Sequence, residues 1–287
     1  MILVTGASGN VGGQVLAQLL RRGITARGMT RHPESAKLPT GAEAVRGDLT
    51  DLDSLEACLH GVSAVFLMWP FHSAEPMAGI LDVIKRHARH VVLLSSGAVQ
   101  DGLVPEQHAN HVGRSHAEVE RLLRESGMPW TVLRPSTFAT NALWWADQIR
   151  AGDTVAGSYG AVPMAMLHEA DIAAVAVCAL TEDAHDQACY QLTGPQVLTQ
   201  AEQVRVIGEA LGRPLRWQEL TREEARQRLL ADHSFPDSFV DVLLDGYAHM
   251  LDEPPPAITQ TVETVTGAPA RTFHQWVLDH ADEFSTC

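Results

Sequence analysis

The most constraining feature of the sequence is a glycine-rich stretch at residues 2–13, ILVTGASGNVGG. Its apolar start predicts a buried strand, and the run VLAQLLRRG that follows has apolar residues at helical spacing. Between them, Gly6, Gly9 and Gly12 form a G-x-x-G-x-x-G turn. Bare backbone N–H groups at the start of a helix bind pyrophosphate, which side chains there would hold off. Strand, turn and helix in this order predict the first half of a dinucleotide-binding βαβ unit, rather than a glycine turn that only packs.

Strand and helix patterns alternate along the chain after this turn, without hairpin signals. Such alternation is typical of a parallel sheet with helices on both faces. We therefore predict an α/β fold, a Rossmann-like doubly wound parallel sheet with a smaller, mainly helical C-terminal substrate subdomain. Local signals predict an Asp171 cap on the helix DIAAVAVCALTE, a Thr50 or Asp51 cap on DLDSLEACLHG, and a helix that begins near Gly113.

The predicted domain organisation is discontinuous along the chain. A dinucleotide-binding Rossmann domain covers residues 1–140 and is completed by residues 168–193. A substrate-binding subdomain combines residues 141–167 with 194–287. Within it, two helical patterns at 221–252, joined by a loop at 234–237, predict a helical lid.

Composition excludes several classes of function. The 287 residues carry a formal net charge of −14, which disfavours nucleic acid and anionic membranes as partners. No apolar run has the length of a membrane span, and the first strand begins at residue 2, so we expect a cytoplasmic protein without a signal peptide. The four cysteines lack metal-binding or disulfide spacing and are expected to be reduced thiols: Cys58, Cys178, Cys189 and Cys287.

The end of the second predicted strand, ITARGMTR, bears on the choice of dinucleotide. Enzymes that prefer NAD carry an acid there for the ribose 2′-hydroxyl, whereas this chain has Arg31 and no acid before Glu34. A guanidinium pairs with a 2′-phosphate, so we predict NADPH, with NADH possible but weaker; the alternative is an exposed arginine without this role. Asp48 and Leu49, just after the third predicted strand, are expected to flank the adenine. Further predicted cofactor contacts are Ser8, Asn10, Val11, Leu67, Met68 and Trp69.

Motifs along the first 141 residues resemble atypical short-chain dehydrogenases/reductases of the NmrA-like group. They are TGASGNVGG, TRHPES, GDLTD, VFLMWP, LLSSGAV and HAEVERLLRESGMPWTVLRPSTFATN, in the order of the family. The resemblance implies an NADPH-dependent reductase, as in the quinone oxidoreductases, triphenylmethane dye reductases and tailoring ketoreductases of that group. It also implies that Pro135 lies in a loop that touches the nicotinamide carboxamide.

The chain departs from the wider superfamily at the catalytic tyrosine. Superposing the family pattern YGRSKAEVE on VGRSHAEVE places Val112 at the tyrosine and His116 at the lysine. Ser96 resembles the family serine, with Ser95 beside it. Three sources of the reaction's proton stay open: His116, water ordered by Ser95 or Ser96, and a substrate that stabilises its own anion. Of these, a substrate that stabilises its own anion is favoured. His116 can instead position the cofactor or pack against its neighbours.

Aromatic residues near the predicted ends of the strands suggest a substrate pocket, although each of them is equally compatible with the core. The predicted substrate contacts are Phe71, His72, Phe138, Trp144, Trp145 and Met166. The histidines 108, 111 and 116 lack a carboxylate or cysteine at ligand spacing, so no metal site is predicted.

The sequence therefore predicts an NADPH-dependent reductase that transfers hydride to a ketone or quinone-like group of a bulky aromatic substrate. The main alternative is a non-catalytic NADP-sensing regulator that binds a partner protein. A nucleotide-sugar epimerase or dehydratase is disfavoured without the tyrosine. A small aromatic molecule is the expected partner, with no nucleic acid and no membrane, and the protein is expected to be a monomer or homodimer.

Overall fold

The computed structural model describes residues 1–231 and 236–285. Its strands are β1 (Ile2–Val4), β2 (Ala26–Thr30), β3 (Glu43–Arg46), β4 (Ala64–Met68), β5 (His90–Leu94), β6 (Trp130–Pro135), β7 (Thr154–Gly157), β8 (Pro163–Ala165), β9 (Ala188–Leu192), β10 (Val197–Thr199) and β11 (Arg216–Glu219). Its α-helices are α1 (Asn10–Arg21), α2 (Leu52–Cys58), α3 (Met77–Lys85), α4 (His111–Glu125), α5 (Ala146–Ala151), α6 (Glu169–Thr181), α7 (Gln200–Leu211), α8 (Arg222–Ala231), α9 (Asp237–Asp252), α10 (Thr261–Thr266) and α11 (Phe273–Asp279).

The chain divides into two compact units, each built from three segments. Unit 1 contains residues 1–136, 169–193 and 260–269. Unit 2 contains residues 137–168, 194–259 and 270–287. The predicted boundary at residue 140 falls within unit 2, and residues 260–269, which we predicted in the substrate subdomain, belong to unit 1.

Unit 1 is built on a parallel sheet of seven strands, in the order β3-β2-β1-β4-β5-β6-β9. The strand order reverses between β1 and β4, which is the place where open parallel sheets bind ligands at their carboxyl ends. This topology confirms the predicted Rossmann-like class.

One face of this sheet packs against α2, α3 and α4. Successive side chains of a strand point to opposite faces, so alternate residues of β4 and β5 enter this core. The packed residues include Val65, Leu67, Val91, Leu93, Ile80, Ile84, Val119 and Leu123. The alternation of Val91 and Leu93 continues to Ser95, one residue past β5.

Unit 2 holds two short sheets and a helical core. β7 pairs in parallel with β11, and β8 pairs antiparallel with β10. The core surrounds Trp276 of α11, which is fully buried. α8 and α9 confirm the two helical patterns predicted at 221–252, and the first half of the predicted loop at 234–237 lies outside the described residues.

Two of the local predictions are confirmed and one is wrong. Asp51 caps α2 and accepts hydrogen bonds from the backbone N–H groups of Asp53 and Ser54. Asp171 is not at the N-cap position, because α6 begins two residues earlier, at Glu169, and Asp171 lies in the first turn of the helix. The helix expected near Gly113 begins at His111, since the Asn110 side chain caps it by accepting from the Gly113 N–H.

Candidate functional site

The glycine turn has the geometry of a phosphate cradle. Gly6 adopts a φ of +61°, which L-residues with a side chain rarely do. A Cβ atom on Gly12 would stand 2.7 Å from the carbonyl carbon of Gly6, so only glycine fits there. Gly9 precedes α1 in extended conformation and supplies no side-chain cap, which leaves the first backbone N–H groups of the helix for a ligand. These features fit a dinucleotide pyrophosphate.

Thr5 and Met68 fix the turn against β4. The Thr5 hydroxyl donates to the carbonyl of Phe66 at 3.2 Å and accepts from the N–H of Met68 at 2.8 Å. The Met68 side chain lies directly beside Gly6. Thr5 was not among the predicted site residues, although its place at the end of β1 marks it. Leu67 and Leu49 belong to the core, so only their backbones can contact a ligand.

Two arginines lie at the carboxyl ends of β2 and β3. Arg31 follows β2 and is exposed, and the residue before it, Thr30, is in register with Arg46 of β3. Arg46 forms an exposed ion pair with Glu34. Sequence reasoning found Arg31 but missed Arg46, because only the pairing of β2 with β3 brings the two together. Both guanidinium groups are suitable for an adenosine 2′-phosphate.

Asp48 is held as a carboxylate near Arg31. Its Oδ1 accepts hydrogen bonds from the backbone N–H of Thr50 at 2.9 Å and from the Thr50 hydroxyl at 2.8 Å. These bonds, with the positive charge of Arg31, lower the pKa of Asp48 below its ordinary value. The ionised side chain therefore shapes the loop after β3, where the adenine contact is predicted.

The structure separates the roles of the two predicted serines. The Ser95 side chain is buried, and its hydroxyl donates to Oε1 of Glu120 at 2.6 Å. The hydrogen of the Ser95 hydroxyl is therefore engaged inside unit 1, and the predicted contact of Ser95 with substrate or ordered water stays a prediction. Ser96 is half-buried and its Oγ accepts from the N–H of Ala98 at 3.2 Å, so its own hydrogen is available for a ligand.

His116 is half-buried on α4, and its Nδ1 has no hydrogen-bond partner within the described residues. Burial lowers the pKa of His116, an effect that the charge of Glu120 partly opposes. The imidazole is therefore neutral at neutral pH and is a poor cationic acid there. Val112, which the resemblance aligns with the family tyrosine, is 48% exposed, and its side chain has no exchangeable proton.

The predicted substrate residues are divided between the units. In unit 1, the buried Trp69 ring lies edge-on to Phe71 at 4.9 Å between centroids, and its Nε1 has no partner in the part of the chain that the structure describes. His72 is exposed and lines a cavity of about 250 Å³ together with His111 and Arg114.

In unit 2, Met166 is buried in the core, whereas Phe138 is half-buried beside Leu167. Trp145 packs edge-on to Trp217 at 5.8 Å. Trp144 is partly exposed and lies edge-on to Phe239 of α9 at 6.4 Å, a neighbour that sequence reasoning did not find. Met166 is thus a packing residue of its unit.

Neither a metal centre nor a membrane-spanning element emerges from residues 1–231 and 236–285. These residues contain no group of three or more His, Cys, Asp or Glu side chains arranged to hold a metal ion. Within the same ranges, no helix combines the length and apolar character needed to cross a bilayer.

A doubly wound sheet with a glycine cradle at its switch point defines a dinucleotide-binding protein. The family model described as NAD(P)H-binding matches residues 6–183. The chain belongs to this family, as an atypical short-chain dehydrogenase/reductase of the NmrA-like type, and is an NAD(P)H-dependent oxidoreductase.

Two curated relatives match over nearly the whole chain. The (4-alkanoyl-5-oxo-2,5-dihydrofuran-3-yl)methyl phosphate reductase of Streptomyces griseus is 37% identical over 295 residues, with 99% of each chain covered. The NAD(P)H azoreductase of Xenophilus azovorans is 32% identical over 288 residues, again with 99% coverage of both. Among solved structures, an NADPH-dependent quinone oxidoreductase from Escherichia coli superposes with a TM-score of 0.79 at 23% identity, covering 98% of this chain and 100% of the other. This last likeness confirms the fold.

Proposed function

We propose that the protein is an NADPH-dependent reductase that transfers hydride to a ketone or quinone-like group of a bulky aromatic substrate without a catalytic tyrosine. The observation that carries this proposal is the acid-poor site around Val112. The resemblance aligns the exposed Val112 with the family tyrosine and the neutral His116 with the family lysine, and Ser96 keeps the hydroxyl of the family serine. Substrates whose reduced anion is stabilised by conjugation need the least help from a protein acid.

The names of the two relatives agree with this substrate class in part. They act on a 5-oxo-dihydrofuran that carries an alkanoyl group and on azo compounds. Both are electron-poor π systems, which accept hydride readily. We extend the proposal to such acceptors and retain the aromatic, bulky character from the exposed Trp144 and Phe239 of unit 2.

The choice of NADPH over NADH rests on the arginines at the ends of β2 and β3. Arg31 and Arg46 supply two positive charges for a 2′-phosphate, and the glycine turn with the first N–H groups of α1 binds the pyrophosphate. Asp48 and Pro135 keep their predicted roles beside the adenine and the carboxamide. When bound, the reduced nicotinamide supplies the hydride.

The proton then comes from Ser96-ordered water or from solvent after release of a stabilised anion. A positioned general acid contributes about a hundredfold to ten-thousandfold, so a substrate without self-stabilisation is reduced slowly here. His116 acts as a neutral hydrogen-bonding group rather than an imidazolium at neutral pH. Residues 221–252 are proposed as a lid that excludes water once substrate is bound.

The test is the loss of NADPH absorbance with a panel of quinones, azo dyes, triarylmethane dyes and polyphenolic ketones. Turnover of conjugated acceptors, with simple aliphatic ketones at least tenfold slower, supports the proposal. Tight NADP binding without turnover on any acceptor contradicts it and favours the alternative, a non-catalytic sensor that binds a partner protein. Equal rates for conjugated and aliphatic ketones contradict the assignment of substrate class.

A further inference from the structure

A buried carboxylate joins the three elements that carry the candidate catalytic residues. Glu120 of α4 is fully buried. Its Oε1 accepts from the Ser95 hydroxyl at 2.6 Å and from Nε of Arg134 at 2.9 Å. Its Oε2 accepts from Nη2 of Arg134 at 2.7 Å and from Nη2 of Arg124 at 2.8 Å.

These four contacts use the full accepting capacity of the carboxylate, which has about four lone-pair sites. Ser95 must therefore be the donor in its contact. Arg134 is almost fully buried, and its remaining Nη1 donates to the exposed Asp101 at 2.6 Å. Each side-chain polar atom of Ser95, Glu120 and Arg134 thus has a hydrogen-bond partner, and buried networks whose groups are paired rigidify their surroundings.

Three members of the cluster, Ser95, Arg134 and Glu120, lie near residues of the candidate site in the chain. Ser95 directly precedes Ser96 at the end of β5, and Arg134 directly precedes Pro135 at the end of β6. Glu120 lies one helical turn after His116 on α4. The network thus sets the mutual placement of Ser96, Pro135 and His116.

We propose that Glu120 is a positioning residue for the hydride-transfer reaction, acting through Ser95 and Arg134 to hold Ser96 and His116 in place. The proposal rests on the reductase function proposed above. A buried ion pair is weak evidence for stability, because desolvation of its charges offsets their attraction, and fixed geometry is its better-supported use. A misplacement of about 1 Å of a reacting group can cost about a hundredfold in rate.

The decisive variant is Glu120→Gln, which keeps the shape of the side chain and removes its charge. We expect kcat to fall about tenfold or more, with the KM for NADPH within about twofold, because the cofactor-binding turn is untouched. The matched control is Glu125→Gln on the same helix, whose carboxylate pairs with Arg121 at the surface. A folded Glu120→Gln protein with the kcat of the control would overturn the proposal.

Glu120→Gln leaves Arg134 incompletely paired and can fail to fold. If Glu120→Gln does not fold, Ser95→Ala tests the proposal, because this substitution removes one donor to Glu120 and leaves no buried charge unpaired. We expect its kcat to fall about threefold or more at unchanged KM for NADPH. An unchanged kcat in the folded Ser95→Ala protein contradicts a positioning role.

A measurement that does not depend on turnover distinguishes this proposal from the proposed reductase function. In isotope-labelled protein with NADP bound, the backbone amide signal of Ser96 and the ring signals of His116 are expected to shift in Ser95→Ala, but not in Glu125→Gln. Shifts in a protein that reduces no acceptor refute the reductase proposal and leave the placement of Ser96 and His116 by this network supported. Unshifted signals refute the network's positioning role, whatever the activity.

Discussion

Gly12 lies against the carbonyl group of Gly6, with no room between them for a side chain. A Cβ atom on Gly12 would stand 2.7 Å from the Gly6 carbonyl carbon and 3.0 Å from the Thr5 carbonyl oxygen. These neighbours are backbone atoms and cannot move aside without opening the turn. The first turn of α1 therefore packs directly against the backbone of the glycine turn.

Gly12→Ala is expected to weaken NADPH binding by about tenfold or more, which equals about 1.4 kcal/mol, because the turn must open to admit the methyl group. Fluorescence titration with NADPH measures the effect. Gly13→Ala is the matched control, since its Cβ would lie 3.4 Å from the Ala7 carbonyl oxygen, at the edge of ordinary contact. Equal affinities of the two variants would show that the close approach has no part in binding.

Arg31→Gln and Arg46→Gln are each expected to weaken NADPH binding about tenfold and to leave NADH binding nearly unchanged. The reason is that only NADPH carries the 2′-phosphate that we propose these guanidinium groups bind. The ratio of the two dissociation constants is the measurement. Arg86→Gln provides the control, because Arg86 pairs with Glu56 elsewhere on the surface of unit 1. If Arg46→Gln leaves the ratio of the two dissociation constants unchanged, Arg46 does not bind the 2′-phosphate.

Burial of His116 predicts a pH dependence of stability. The lowered pKa of His116 means that the native protein binds fewer protons than the unfolded chain at mildly acidic pH. Stability should therefore fall as the pH is lowered through about 6.5, the usual histidine pKa, down to the lowered native value. The burial of His90 lowers its pKa and adds a contribution of the same sign.

Chemical denaturation at about pH 7.5 and about pH 5.5 tests this expectation. His116→Gln should lose less stability between the two values than the parent protein, because the group that titrates is gone. His274→Gln, at an exposed histidine, should lose as much as the parent. An equal loss in all three proteins would mean that His116 titrates normally.

The two helices of the proposed lid share a small cluster of buried residues, formed by Ala225 of α8 with Val240 and Leu244 of α9. α8 and α9 are joined by ion pairs of Arg226 with Asp241 at 2.9 Å and of Arg222 with Asp245 at 2.8 Å. Hydrogen exchange over α8 and α9 should slow severalfold when NADP and a quinone are both present, whereas α11 should change little. Exchange that stays the same would argue for a fixed packing element.

Periodicity and turn chemistry were enough to predict the sheet of unit 1, the Asp51 cap and the glycine turn, because those signals are local. β7, β8, β10 and β11 escaped prediction, since each has only three or four residues and pairs with a distant segment. Ser95 and Ser96 look alike in sequence. Only the packing of α4 brings Glu120, 25 positions later, to the hydroxyl of Ser95.

The division of each unit into three segments has a consequence for protein engineering and for synthesis on the ribosome. The chain passes between units at five junctions, after residues Ser136, His168, Thr193, Thr259 and Pro269. The core around Trp276 cannot close before the last of these has been made. A chimera that exchanges the acceptor preference of two relatives must therefore transplant three pieces together, and a single crossover would leave both hydrophobic cores half native and half foreign.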